Sequence, residues 1–381
     1  MYGLPDYARM LAEPVRFSAY RRAIERAVCP GDVVIDLGAG PGIFSLLAAQ
    51  AGARRVYAVE PDPVVQWVDE LASRNGLEDR IEAVPRLSTG WTPEQPADVV
   101  ISDLRGILPT FYDHLASLRD ARIRLLRSGG QLIPARDELW TAAVSAPEAL
   151  ARHLGGFRAV PGLDLEPPRR AASHLYFRAE LGAEALASEP RLLGAVEYGA
   201  SEETSFRGEV VLELRGGPVD GLAVWFDAWL DIVETFSNSP EAAKTIYGQA
   251  VFPLPDVFES RPGDRMTLRF SAHRADPDYV YRWAGRVERQ GSPKPALVFD
   301  QSTFHGAPLA PLDLARRAPD FVPRLGDEAR IDAWVLGQLG ASSGASLGEV
   351  AEGLVSRFPE RFADAHQALR HAARVADRYS R

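Results

Sequence analysis

The chain has 381 residues, 46% of them apolar and 25% charged, an ordinary globular composition with room for two or three domains. Lys and Arg number 43 against 52 Asp and Glu, a net charge of -9, and no basic run is dense enough for a polyanion, so neither nucleic acid nor a membrane is expected as a partner. One cysteine, Cys29, excludes a disulfide framework within the chain; with no basic-then-apolar leader and no long apolar span, a soluble cytoplasmic protein is expected.

Residues 16 to 144 alternate helical and strand patterns. "RFSAYRRAIERAV" has the spacing of an amphipathic helix, "DVVIDLG" of a short buried strand, "GIFSLLAAQAG" of a helix closed by Gly52, and "RVYAVEP" of a second strand. The helix "PVVQWVDELASRNG" and the strands "RIEAVP" and "ADVVISDL" follow. "FYDHLASLRDARIRLLRSGG" reads as a helix stopped by its Gly-Gly pair, and "QLIPARDELWTAAV" returns to strand. Helices of this length between strands imply βαβ crossovers and a parallel sheet. Beyond residue 145, "HLYFRAEL", "GEVVLELRGG", "LAVWFDAWLDIVETF", "GQAVFPL" and "DRMTLRFSAH" are strand-like runs broken by Gly, Pro and Asp, the pattern of an antiparallel barrel or sandwich. From Glu328 the pattern is helical again, with Ser346 and Glu349 at capping-box spacing, suiting a winged-helix-like or three-helix module or a helical tail. The expected division is a Rossmann-like domain over 1–140, a β-barrel over 141–327 and a helical module over 328–381.

The turn Asp36-Leu37-Gly38-Ala39-Gly40-Pro41-Gly42 places glycines where a strand becomes a helix, so a ligand can approach the backbone. Its spacing is not that of a dinucleotide turn, and an acid before the first glycine suits a cationic or zwitterionic ligand. S-adenosylmethionine fits, with Glu60 at the end of the second strand in place for two ribose hydroxyls. Glycines kept only for packing would be the structural alternative. No metal site is expected.

The chain resembles the protein arginine methyltransferases over roughly residues 2 to 285. "YARMLAEPVRFSAYRRAI", "NGLEDRIEAV", "GGQLIPARDELWTAAV" and "FSNSPEAAKTIYGQAVFPLPD" carry the resemblance beyond the glycine turn. It implies that Arg16 grips the cofactor carboxylate, that Met10 lies near the transferred methyl, and that Ser88 stands where the family's adenine-binding acid would be. A guanidinium suits the first task because its planar fork meets a carboxylate with two hydrogen bonds. The resemblance also implies a homodimer, formed through an arm near 160–180 within "AVPGLDLEPPRRAASH". The family's aromatic lid over the cofactor is expected to be short here.

The family holds its acceptor guanidinium between two glutamates on the loop that here reads "SDLRGILPTFYDHL". Asp103 falls on the first position and Asp113, after an inserted residue, near the second. Each is shorter than glutamate by one C–C bond, about 1.5 Å, and a displacement near 1 Å can cost on the order of 10²-fold in rate. Either the loop is drawn inward, or the acceptor is not an ordinary peptidyl arginine. Asp103 could equally be a turn or helix-cap residue, and Asp113 an exposed first-turn acid favoured by the helix dipole. Arg105 lies between them; outward it would be a solvated loop residue, the reading favoured here, and inward it would favour a carboxylate acceptor. The family's Thr-His-Trp reads Thr245-Ile246-Tyr247. Tyr7, Tyr20 and Tyr247 could line the acceptor pocket or belong to the core; His114 reads as structural, and His305 has no assigned role. The expectation is an S-adenosylmethionine-dependent methyltransferase acting on a guanidino nitrogen of arginine in a biosynthetic peptide or small metabolite. The alternatives are an O-methyltransferase anchored by Arg105 and a catalytically weak, cofactor-binding partner subunit.

Overall fold

The computed structural model describes residues 3–275, 278–308, 310–316, 318–341 and 344–379. Two short helices, α1 (Leu4–Ala12) and α2 (Pro14–Ala27), precede the first strand. Pro14 at the first helical position and the Glu13 carboxylate, which accepts from the Val15 and Arg16 amides, start α2 sharply. Then come β1 (Val33–Leu37), α3 (Ile43–Ala51), β2 (Arg55–Val59), α4 (Trp67–Arg74), β3 (Ile81–Val84), β4 (Ala97–Ser102), α5 (His114–Asp120) and β5 (Leu126–Ile133). The five strands pair in parallel in the order β3-β2-β1-β4-β5. All five β1 residues are buried, as a central parallel strand covered on both faces must be.

Gly129 and Gly130 do not end a helix. The helical run closes near Leu125 in a π turn, and the glycines lie inside β5. The reason is close approach: a Cβ on Gly130 would stand 2.9 Å from the Asp98 carbonyl oxygen of the neighbouring strand.

The antiparallel half comprises β6 (Arg136–Val144), α6 (Pro147–Leu154), α7 (Glu166–Ser173), β7 (Phe177–Ala179), β8 (Arg191–Glu197), β9 (Phe206–Glu213), β10 (Gly217–Trp229), β11 (Thr235–Ser237), β12 (Gln249–Ser260), β13 (Arg265–Ala275), β14 (Asp278–Glu288) and β15 (Leu297–Ser302). One sheet runs β7-β12-β10-β6-β8 with β11 on the end of β10, and the other runs β15-β14-β13-β9. Their inner faces share one apolar core that continues beneath the parallel sheet, from Ile35, Val100 and Leu118 through Leu139 and Leu222 to Phe252, Phe270 and Trp283. A second core packs α2 and α3 on the opposite face of that sheet. The stretch 160–180 holds α7, tied to the barrel by Arg169 at 3.6 Å from Asp256 and by the Gln301 amide donating to the Ser173 carbonyl.

Residues up to Pro308 form one compact unit and those from Leu309 another, a division that falls earlier than the 327/328 boundary read from the sequence. The second unit contains α8 (Pro311–Arg316), α9 (Asp327–Leu339), α10 (Leu347–Arg357) and α11 (Ala365–Tyr379). Ile331, Val335, Val350, Leu354, Phe362 and Val375 make its own core. Ser346 and Glu349 form the capping box expected for α10. No strand occurs among the described residues of this unit, so the winged-helix-like expectation lacks its wing and the three-helix alternative describes α9 to α11. Among the described residues no helix is long and apolar enough to cross a membrane.

Candidate functional site

The glycine turn joins β1 to α3 at the carboxyl edge of the parallel sheet. Gly38 and Gly40 have φ of 69° and 54°, and a Cβ on Gly40 would stand 2.7 Å from the Tyr7 ring of α1. Only glycine reconciles that backbone with so close a neighbour. Asp36 is buried under the turn and accepts from the Ser45 hydroxyl at 2.7 Å, bracing the start of α3. Burial outweighs the Ser45 hydrogen bonds and pushes its carboxyl up to about 7. Glu60, just past β2, accepts from the Gly40 amide at 3.1 Å and the Asp62 amide at 2.9 Å. Its carboxylate therefore fixes the turn, with lone pairs left for further donors. The structure thus brings Asp36, Gly38, Gly40, Glu60 and Tyr7 around one turn. Ser88 lies in a separate short turn, where its carbonyl accepts from Arg124 at 2.6 Å.

A second cluster lies between α2, the end of β4 and the β11–β12 connection. Arg16 is buried, and its Nη1 donates to Asp103 at 2.7 Å while Nη2 donates to the Met10 carbonyl at 3.2 Å. The Arg16 Nε has no partner. Tyr247 donates its hydroxyl to Asp103 at 2.8 Å, and Tyr20 donates to the Ser102 carbonyl at 2.8 Å. Burial, then the Asp103 charge, raises the Tyr247 phenol well above its ordinary pKa, so it remains a neutral donor. Arg16, Met10, Asp103 and Tyr247 are thereby assembled, with Asp103 holding two hydrogen-bond donors on a side chain 12% exposed.

Asp113 is not assembled with them. It precedes α5 with its side chain 60% exposed and is engaged by Arg274 of β13. Its geometry is that of the exposed helix-start acid, and it follows Tyr112, a non-glycine residue at φ 40°. His114 is buried and bonded to the Tyr198 hydroxyl at 2.9 Å; burial, and then the charge of Arg105, hold its pKa well below the ordinary value. It is structural.

Arg105 corrects two expectations at once. It is neither a solvated loop residue nor an anchor that an acceptor can touch, because its side chain has no exposed surface. The guanidinium lies against the faces of Phe226 and Phe236, 5.2 and 5.6 Å from the ring centres, with Asp137 of β6 at 3.3 Å and Asp103 at 3.9 Å. Burial opposes its charge, but Asp137 and its neighbours outweigh that and keep its pKa above the ordinary value. Sequence reasoning missed Asp137. The available signal was parity, since Asp137 shares its strand face with Leu139 and Thr141, both buried.

Comparisons with known proteins find the following similarities. The profile of the ribosomal protein L11 methyltransferase (PrmA) family matches residues 21–135. A probable protein arginine N-methyltransferase 6 of Arabidopsis thaliana is 28% identical over 282 residues, covering 70% of this chain and 64% of its own length. An arginine N(omega)-methyltransferase of Streptomyces achromogenes is 29% identical over 277 residues, covering 68% of this chain and 74% of its own. Among solved structures, a Trypanosoma brucei PRMT1 enzyme–prozyme heterotetramer with AdoHcy superposes with a TM-score of 0.71 at 23% identity, covering 79% of this chain and 98% of the other. Arabidopsis thaliana protein arginine methyltransferase 10 superposes with a TM-score of 0.68 at 20% identity, covering 79% and 97%. The parallel-sheet domain followed by antiparallel sheets is the fold of these structures.

Proposed function

We infer that this chain, a divergent relative of the protein arginine methyltransferases, is an S-adenosylmethionine-dependent methyltransferase that acts on a guanidino nitrogen of arginine in a small metabolite or biosynthetic peptide. The observation that carries the reading is the buried Arg16–Asp103 pair beside a glycine turn braced by Glu60. Arg16 keeps an unpartnered Nε while its Nη1 holds Asp103, so one guanidinium can meet a cofactor carboxylate and an acceptor-facing carboxylate together. Glu60 is assigned to the ribose hydroxyls and the Gly38–Gly40 backbone to the adenosyl portion, with Asp36 beneath them and Met10 near the methyl. S-adenosylmethionine, when bound, supplies a methyl group on a sulfonium, ready for in-line displacement.

The chain's own task is then positioning. A guanidinium stays protonated and is a poor nucleophile. Asp103 would orient it and draw positive charge from the attacking nitrogen, with the Tyr247 hydroxyl fixing the carboxylate's angle. The name of the Streptomyces relative supports arginine outside a protein tail as the acceptor class. A homodimer through the 160–180 segment accompanies this reading, supported by Val160 and Leu163, apolar side chains exposed just before α7.

Incubating the pure protein with S-adenosylmethionine carrying a deuterated methyl, together with free arginine, an arginine peptide or a host extract, tests the reading by mass spectrometry. Label on a guanidino fragment is expected, and label on oxygen would overturn it. A second reading, a cofactor-binding partner subunit, is favoured by one observation: Asp113, the other candidate acid, is exposed and held by Arg274 instead of standing with Asp103. Cofactor binding without turnover by the chain alone, with turnover restored by a second chain, would select it.

A further inference from the structure

The loop between β4 and α5, residues 103–113, carries Asp103 yet contains no helix or strand. Backbone turns hold its C-terminal part, where the Phe111 amide donates to the Pro109 carbonyl at 2.9 Å and the His114 amide to the Phe111 carbonyl at 3.0 Å, and side-chain contacts tie it to the barrel. Arg105 and His114 stand at its two ends, and both lead to the same barrel carboxylate. Arg105 lies 3.3 Å from Asp137. Tyr198, just past β8, donates its single hydroxyl proton to Asp137 at 2.6 Å, and the same oxygen lies 2.9 Å from His114 Nε2. Because that proton is committed to Asp137, His114 must donate from Nε2, a tautomer assigned from the network. Its low pKa keeps the ring neutral, so it adds no second charge to the cluster.

We propose that Arg105 and Asp137 are positioning residues for Asp103: the buried network draws both ends of loop 103–113 onto the barrel and sets where the acceptor-facing carboxylate stands. The proposal rests on the reading of Asp103 as that carboxylate. None of the three Arg105 nitrogens has a hydrogen-bond partner, although the guanidinium is wholly buried. It is held by charge and by two ring faces, not by a fork of directed bonds, so its pull acts on Asp137 and Asp103 together. A pair kept only for stability would be a weak choice, since well-packed apolar residues can replace buried ion pairs at little cost. A pair that positions a loop cannot be replaced in that way, and the two roles part there. The network also answers the shortened acid: a loop anchored inward at both ends is what an aspartate in place of a glutamate needs.

The test uses the full chain with Arg105→Met and Asp137→Ala combined, which removes both charges and leaves neither partner buried alone. Thermal denaturation and calorimetric titration with S-adenosylmethionine establish that the variant folds and that its cofactor affinity stays within about threefold of wild type. Hydrogen exchange of 103–113 is then expected to quicken at least tenfold, and kcat with labelled S-adenosylmethionine and the arginine acceptor to fall at least tenfold. Wild-type exchange and wild-type kcat in the folded double variant would overturn the proposal. If the wild-type chain methylates no arginine acceptor, the functional reading fails by itself, while the exchange measurement still decides the positioning claim: faster exchange sustains it, unchanged exchange removes it. Should the double variant not fold, Tyr198→Phe keeps the buried ring and cuts the link from His114 to Asp137. Faster exchange of the loop's C-terminal half is expected there, and unchanged exchange would count against the network.

Discussion

On the assignment proposed above, Arg16 and Asp36 make different demands on the bound cofactor. Arg16→Lys keeps the charge but loses the planar fork, leaving one of two carboxylates without a directed donor. Hydrogen bonds to charged groups contribute about 1.5–3 kcal/mol, so S-adenosylmethionine affinity should fall roughly 10- to 100-fold by isothermal titration, with the melting temperature little changed. Asp36 titrates near 7 because it is buried, so the folded chain holds a proton there that the unfolded chain releases at ordinary carboxylate pH. Unfolding free energy contributed by this group therefore falls as pH rises from the ordinary carboxylate range through 7. Affinity for the cationic amino group should move the other way, tightening about tenfold between pH 6 and 8, and Asp36→Asn should flatten that profile. Residue positions were legible where they are local. Asp36, Gly38, Gly40 and Glu60 follow from one strand–turn–helix pattern. Arg105 was misread because its burial depends on Asp137, Phe226 and Phe236, which three other strands bring to it.

At the scale of elements, α1 stands apart because none of its residues is buried. A helix with so little packing sits at the low end of local stability, although its Tyr7 leans on the Gly40 backbone. Trypsin should cut at Arg9, whose side chain is 76% exposed, well before sites in the sheet, and saturating S-adenosylmethionine should slow that cut several-fold. Equal rates with and without cofactor would detach α1 from the site. The parallel strands were readable as continuous apolar runs. The π turn ending the α5 run and the glycines of β5 were not, since a Gly-Gly pair looks the same whether it stops a helix or admits a neighbouring strand. Strands β14 and β15 also escaped notice: arginines and aspartates on their outer faces mask the buried Trp283 and Phe299 between them.

At the scale of the whole molecule the chain divides into two compact units, one up to Pro308 and one beyond it with a core of its own. Calorimetry should resolve two transitions, and Ser346→Ala, which removes the α10 capping box, should lower only the smaller one, by about 1 kcal/mol. A shift of both would show the units to be coupled. The continuous core running from Ile35 and Val100 beneath the parallel sheet to Phe252 and Trp283 inside the barrel has the opposite meaning for the larger unit. The strand–turn–helix half, though it matches a methyltransferase profile by itself, is not a detachable cassette in this chain. A fragment ended at Val144 would uncover that apolar face and should aggregate, so any exchange of acceptor chemistry by recombination must graft the barrel and the cofactor half as a single inherited block.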